Sequence, residues 1–235
     1  MALLPNMGSA MTSIFGPLII SGFGFDKFQT SLLNIPFGAV QTIVIVTCCW
    51  ASWRIKLKSV VLVGYMLPVV AGTAMLYALD RNASNQPALL AAYYFLAFLF
   101  AGNPLLLSWI VGNTTGATKK STTLSLYQAG LSAGDIVGPL LFSEDQAPTY
   151  LPGVRSVLVI FMVLIACVVL QLCNLAFLNK LQRKKRVRNG KSAVIIDQSM
   201  RREVNADWKT QEPMLGEMVS SDLTDRENDE FVYIY

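Results

Sequence analysis

The chain contains no histidine among its 235 residues. This absence excludes zinc sites built from cysteine and histidine, and it excludes hydrolases that use a histidine base. Its four cysteines lie in two apolar stretches, as Cys48 and Cys49 and as Cys167 and Cys173, and no C-x-x-C pair occurs. We therefore interpret them as small apolar residues of a packed interior, and we expect neither a metal nor a cofactor.

Charge is also scarce. Only 14% of the residues are charged whereas 53% are hydrophobic, and the mean hydropathy is +0.47. The charged residues fall mainly in short turns and in the last quarter of the chain. This distribution is typical of a helical protein that crosses the membrane several times, rather than of a soluble domain. The predicted fold class is therefore all-α, as a polytopic membrane protein with six transmembrane helices and a tail.

Six apolar stretches are long enough to span a bilayer, because roughly 20 helical residues cover the ~30 Å hydrocarbon core. The first has no signal-peptide features, so we interpret it as a span of the mature protein. In chain order, the predicted spans cover approximately residues 2–21, 32–52, 60–79, 88–111, 122–142 and 156–178. We assign 1–179 to a transmembrane domain, 180–191 to a polybasic juxtamembrane segment, and 192–235 to a disordered tail.

The basic residues between the spans are distributed unequally. Twelve lie on one side of the predicted membrane: Arg54, Lys56, Lys58, Lys119, Lys120 and the seven basic residues of 180–191. Only Lys27, Arg81 and Arg155 lie on the other side. Because positively charged loops stay in the cytoplasm, both termini are predicted to be cytoplasmic. The segment 180–191 would lie next to anionic lipid; it lacks the folded context of a nucleic-acid site.

The fifth span carries two distinct faces. Ser125, Gln128, Ser132 and Asp135 form a polar stripe, and Gly130, Gly134 and Gly138 form a glycine stripe roughly 140° away at ~100° per residue. Glycines at this spacing allow close approach of another helix. A carboxylate inside a span marks a pathway, a binding site or a paired group, unless it lies close enough to the helix end to reach water.

Other spans carry polar or aromatic residues of the same kind. Asn34, Gly38 and Gln41 share one face of the second span; Tyr93, Tyr94 and Asn103 lie in the fourth, where Pro104 should kink the helix. The structural alternatives are interhelical hydrogen bonds worth only about 0.6 kcal/mol, and aromatic packing. We expect seven residues to line a substrate site: Asn34, Gln41, Tyr94, Asn103, Tyr127, Gln128 and Asp135.

Four sequence runs carry a family resemblance. They are IISGFGFDKFQTSLLNIPFGAVQ, SWIVGNTTGATKKSTT, APTYLPG and DLTDRENDEFVYIY. In this order they resemble the C-terminal half of a fungal major facilitator transporter, and more narrowly the allantoate permease-like group of anion:cation symporters. In that family, Ala117 stands where a histidine is common and Asp135 where an asparagine is usual.

This resemblance implies transport of a small organic anion such as allantoate or a vitamin acid, coupled to protons, across the plasma membrane. It also implies a partner, either an N-terminal six-helix half or a second copy of the chain. An enzyme is not expected, and a voltage-gated channel would need an arginine-rich helix that no span has. The alternative is a truncated membrane protein that assembles with a partner half but does not transport.

Overall fold

A computed structural model describes residues 1–22, 24–146, 149–190, 224, 225, 228 and 231–235. The described residues form eight α-helices and four short 3₁₀ segments. The helices are α1 (Leu3–Ser13), α2 (Gly16–Ser21), α3 (Lys27–Ile55), α4 (Lys58–Ala78), α5 (Gln86–Phe95), α6 (Gly102–Gly112), α7 (Ala117–Val137) and α8 (Leu151–Arg188). The 3₁₀ segments are Ala83–Asn85, Leu96–Ala101, Pro139–Leu141 and Glu144–Gln146.

Four helical stretches of the described chain are long and apolar enough to cross a membrane: Phe28–Ile55, Lys58–Ala78, Gln86–Gly112 and Leu151–Arg188. They correspond to the predicted second, third, fourth and sixth spans. The all-helical class is confirmed, whereas six transmembrane helices remain a prediction. The two other predicted spans are α1 with α2, and α7.

The first predicted span is broken because of Pro17. Its ring has no N–H to donate to the carbonyl of Ser13, and it clashes with the preceding turn. The chain therefore ends α1 at Ser13 and starts α2 at Gly16, with Pro17 in its first turn. The pieces of 11 and 6 residues are each too short to span a bilayer alone.

The second predicted span begins earlier than expected, at Lys27. Asp26 and Gln29 form a capping box, in which the backbone N–H of Asp26 donates to Oε1 of Gln29 at 3.2 Å. This arrangement satisfies backbone donors that the first turn of a helix leaves without partners. The cap extends α3 by about one turn and a half beyond its apolar run.

The buried core lies between α4, α5 and α8. Leu62, Met66 and Leu76 of α4 and Tyr93 of α5 are at most 1% exposed, as is Phe161 of α8. In contrast, α3 and α7 each turn a broad side away from the other helices, where Leu32, Ile43, Trp50, Leu126 and Ile136 are all at least 60% exposed. Apolar surface of that extent is compatible with a lipid environment or another helical unit.

At the other predicted boundaries, the helices and the tail differ from the sequence interpretation. α8 is continuous through residue 179 and ends at Arg188, so the basic residues 180–188 form its last turns. Most of the predicted disordered tail, 192–235, lies outside the described residues. Its described end, 231–235, packs against the helices, because Tyr233 and Ile234 bury their side chains there.

Candidate functional site

The two faces predicted for α7 have different surroundings. Gly130, Gly134 and Gly138 lie against α1; a Cβ added to Gly134 would approach Leu3 O to 2.6 Å and Asn6 Cβ to 2.8 Å. Only glycine permits two helix backbones to lie this close. The stripe of Ser125, Gln128, Ser132 and Asp135 is exposed along its whole length. α7 therefore uses one face for packing and leaves a polar face without a covering element in the described chain.

A chain of hydrogen bonds connects this polar face to α1 and α6. Asn6 donates from Nδ2 to Asp135 Oδ1 at 3.1 Å, and Asn103 donates from Nδ2 to Asn6 Oδ1 at 2.9 Å. The Tyr127 hydroxyl donates to the backbone carbonyl of Asn103 at 3.1 Å. Three of the seven predicted residues, Asn103, Tyr127 and Asp135, are thus brought together. With Asn6 they form a group of four residues that we name the α1–α6–α7 network.

Asn6 is the member of this network that sequence reasoning missed. It lies in α1 among apolar residues and is only 8% exposed. A single asparagine in an apolar stretch has no periodicity to draw attention to it, although its polarity was as unusual there as that of Asn34. This polarity is the one signal in the sequence that indicates Asn6.

Asn103 retains an unused acceptor. Its Oδ1 is buried and has no hydrogen-bond partner among the described residues. An unsatisfied buried acceptor costs about 1–3 kcal/mol. A donor from a bound molecule or a partner subunit at this position would remove that cost.

Two other predicted residues meet in a second cluster between α3 and α5. Tyr93 donates its hydroxyl to Asn34 Oδ1 at 3.1 Å, and Tyr94 donates to the backbone carbonyl of Leu33 at 3.1 Å. The ring of Phe37 lies 4.8 Å from that of Tyr93. Asn34 and Tyr94 therefore connect helices, which agrees with the structural alternative considered for each.

The last two predicted residues join neither cluster. Gln41 is half-buried and Gln128 is exposed, and within the described chain neither side chain forms a hydrogen bond. The predicted kink also differs in position. Helical geometry changes in the 3₁₀ segment Leu96–Ala101, one turn before Pro104, because the proline cannot donate to the carbonyl of Phe100.

A cavity of about 230 Å³ lies between the last turns of α3, the start of α4 and the first two turns of α6. None of the seven predicted residues lines it. Its lining residues are Cys48, Cys49, Ser52, Trp53, Lys58, Pro104, Leu105 and Ser108. Lys58, which the sequence placed in a turn, is only 7% exposed, and its Nζ donates to the backbone oxygen and the hydroxyl of Ser108 at 2.9 and 2.8 Å.

Comparisons with known proteins give the family. Residues 1–220 match the model of the Major Facilitator Superfamily. The MFS-type transporter cnsL of Penicillium expansum is 35% identical over 162 residues, covering 68% of this chain and 32% of that protein. The uncharacterized transporter C757.13 of Schizosaccharomyces pombe is 27% identical, covering 94% of this chain and 38% of that protein.

The thiamine pathway transporter THI73 of Saccharomyces cerevisiae is 26% identical over 224 residues, covering 94% of this chain and 37% of that protein. The chain thus spans about a third of the length of the curated relatives it matches. No solved structure matches it significantly. Four apolar helices, a polar helix face and a family match over nearly the whole chain lead to one conclusion: the chain belongs to the Major Facilitator Superfamily of membrane transporters.

Proposed function

We propose that this chain is one six-helix half of a carrier for a small organic anion, and that Asp135 carries the coupled proton. The observation that carries the proposal is the exposed polar stripe of α7. A carboxylate and three polar side chains facing hydrocarbon would be unfavourable, at about 2.5–3.5 kcal/mol for the aspartate alone on insertion scales. A second half facing this stripe would enclose it in a water-accessible cavity.

The architecture of facilitator carriers supports this arrangement. Their substrate site lies between two six-helix halves near the middle of the membrane, and transport is the rocking of one half against the other. The α1–α6–α7 network would hold Asp135 at the wall of such a site, with Asn103 Oδ1 available to a donor. The second cluster around Asn34 and Tyr94, with Gln41 and Gln128, would complete the wall.

Orientation and substrate class belong to the proposal as well. The twelve basic residues on one side of the predicted membrane favour termini that lie in the cytoplasm. The membrane we propose is the plasma membrane. The resemblance to the allantoate permease-like group favours a small carboxylate, and it makes this chain the C-terminal half. The yeast relative, named for the thiamine pathway, is consistent with a vitamin-related substrate.

The test measures uptake of labelled small carboxylates by cells that express the chain with its natural partners. Asp135→Asn should abolish accumulation driven by an acidic exterior while leaving substrate exchange across the membrane. Ser132→Ala, one turn earlier on the same stripe, is the matched control and should retain accumulation. Accumulation that responds to pH equally in wild type and Asp135→Asn would remove Asp135 from proton coupling.

Accessibility of the stripe provides a second test. In a background without native cysteines, Gln128→Cys should react with a water-soluble maleimide, and substrate should slow the reaction. Ile136→Cys, which is 70% exposed on a different face of α7, is the control and should remain unreactive in lipid. Equal reactivity at both positions would contradict a water-lined cavity. Absence of any uptake, with a reactive stripe, would favour the non-transporting alternative.

A further inference from the structure

The end of the chain lies across the ends of several helices. Residues 231–235 (Phe-Val-Tyr-Ile-Tyr) contact the start of α4, the end of α6 and the last turns of α8. Tyr233 is 3% exposed and Ile234 is 8% exposed. Two buried side chains in this short segment indicate a shaped surface, which we name the strap groove; it is formed by Lys58, Trp109, Asn113 and Asn179.

Two asparagines of the strap groove recognise the main chain of the segment. Asn113 donates from Nδ2 to the carbonyl of Ile234 at 3.0 Å, and its Oδ1 accepts from the Ile234 N–H at 2.7 Å. Asn179 forms the same pair with Tyr233, at 2.8 and 2.9 Å. Each amide side chain therefore satisfies both polar groups of one residue, as a neighbouring β-strand does.

The backbone of α4 and the indole of α6 add further contacts. Lys58, the first residue of α4, donates its N–H to the main-chain oxygen of Tyr235 at 2.6 Å. First-turn N–H groups have no partner within their own helix, so this bond satisfies a donor that would otherwise need water. Trp109 donates from Nε1 to the carbonyl of Ile234 at 2.9 Å.

Side chains fix the register of the segment in the groove. The Tyr233 hydroxyl donates to Asp225 Oδ2 at 2.7 Å, and the other oxygen of Asp225 pairs with Lys119 at the start of α7. The ring of Phe231 lies edge-on to that of Tyr233, with centroids 4.9 Å apart. A Cβ added to Gly112 would lie 3.1 Å from Ile234 Cδ1, so a small residue there leaves room for the isoleucine.

We propose that residues 231–235 are an intramolecular strap, and that its docking in the strap groove holds the ends of α4, α6, α7 and α8 in one arrangement. The strap forms hydrogen bonds to α4, α6 and α8, and its Tyr233 is connected to Lys119 of α7 through Asp225. It also sits over Lys58, which forms part of the cavity wall. This inference does not depend on transport.

We infer that the strap groove is occupied by residues 231–235 of the same chain rather than of a second copy, because these residues are covalently linked to α8. Roughly 35 residues join the end of α8 to Thr224. For a flexible link of this length, the effective concentration of one end at the other is about a millimolar, so a second copy would have to exceed that concentration to compete.

Hydrogen exchange of the full-length protein in detergent tests the strap. The amides of Tyr233, Ile234 and Lys58 should be protected in the wild type. Asn113→Leu and Asn179→Leu each remove one amide pair and should speed exchange within 231–235 by at least about tenfold, since tenfold corresponds to 1.4 kcal/mol. Exchange of the Lys58 amide and at the start of α7 should increase in the same variants.

Asn174→Leu is the matched control. It changes the same residue type on α8, where Asn174 is exposed and, among the described residues, forms a hydrogen bond only to Gln171, so protection should remain at the wild-type value. Unchanged protection of Leu62–Leu76 in every variant shows that the bundle is folded. Rapid exchange of 231–235 in the wild type would overturn the strap.

Two further results would contradict parts of the proposal. Loss of protection in 231–235 without a change at Lys58 or at the start of α7 would mean that the tail docks but does not hold the helix ends. Protection that decreases on dilution of the wild type would mean that the groove is occupied by the tail of a second copy.

Discussion

Asn6 and Asp135 are 129 positions apart, yet Asn6 Nδ2 lies 3.1 Å from Asp135 Oδ1. The contact exists because three glycines of α7 let α1 approach the backbone closely. The packing face of α7 thus determines where the polar face presents its carboxylate. Asn6 is a neutral donor, and among the described residues no basic side chain forms an ion pair with this carboxylate.

The first prediction concerns the centre of the α1–α6–α7 network. Asn6→Leu removes the acceptor of Asn103 and the donor to both Asp135 and the Leu131 carbonyl, which leaves the half-buried amide of Asn103 without this partner. We expect a loss of about 1–3 kcal/mol in the free energy of unfolding. The measurement is thermal unfolding in detergent.

The control for this change is Ser13→Ala on the same helix, because the Ser13 side chain is exposed and bonds only to the carbonyl of Ser9. It should unfold like the wild type. An equal loss in both variants would mean that α1 tolerates no substitution, rather than that the network is stabilising.

The second prediction concerns the glycine stripe. Gly134→Ala places a Cβ 2.6 Å from Leu3 O, a backbone atom that cannot move without shifting α1. Overpacking of this kind costs about 1–3 kcal/mol, and each kcal/mol lowers the melting temperature of a chain this size by about 2–4 °C. Melting followed by circular dichroism measures it.

Gly38→Ala is the paired control on α3, since a Cβ there would have nothing within 4 Å. Alanine is favoured over glycine in helices by roughly 0.5–1 kcal/mol, so this variant should melt at the wild-type temperature or slightly above it. A stable Gly134→Ala protein would show that α1 and α7 can separate without loss.

The third prediction is a pH dependence of strap docking. Burial by itself raises the pKa of Asp225, but hydrogen bonds from Lys119 and Tyr233 and the positive charge of Lys119 outweigh it, so the pKa falls below the ordinary 3.8. Because the pKa of Asp225 is lower when the strap is docked, its carboxylate stabilises docking fully at any pH above the pKa of the free carboxyl. This stabilisation is lost as the pH falls through the lower, docked pKa.

The indole N–H of Trp109, which donates to Ile234, provides the signal to observe. Its nuclear magnetic resonance shift should be constant from pH 7 to about 4 and change below that, as the strap is released. Asp225→Asn should show the released shift, partly or fully, at neutral pH. The groups facing Asp225 are Lys119, Tyr233 and Gln182.

The sequence predicted those features that depend on a local pattern. Apolar length predicted six spans, four of which are helices long and apolar enough to cross a membrane, and the three- and four-residue spacing on α7 indicated both its faces. Pro17 is itself a local signal for the break in the first apolar stretch, because proline cannot donate a backbone hydrogen bond within a helix. Local rules are sufficient where one helix determines its own geometry.

Features that depend on pairing between distant residues were not predictable in this way. Nothing near Asn6 indicates Asp135, and nothing near Asn113 indicates Ile234, because each contact is created by the packing of helices far apart in the chain. The polar composition of the tail predicted disorder, yet its last five residues are aromatic and β-branched and have a groove that fits them. An average over 44 residues conceals a strong signal in five of them.

The last prediction is that this chain alone does not transport. A facilitator carrier forms its site between two halves, so one half has a wall without an opposite wall. Its exposed stripe should lead the chain to associate with another half or with a second copy, because Asp135 in hydrocarbon costs about 2.5–3.5 kcal/mol. The measurement combines the mass of the purified protein in detergent with uptake of labelled carboxylates into liposomes. Saturable uptake by a verified monomer would refute the half-carrier proposal, whereas uptake by a dimer would make the second copy the missing half. Asp135→Leu should weaken the association, because it removes the group that drives the stripe out of lipid, while Ile136→Ala on the neighbouring exposed face should leave the mass unchanged.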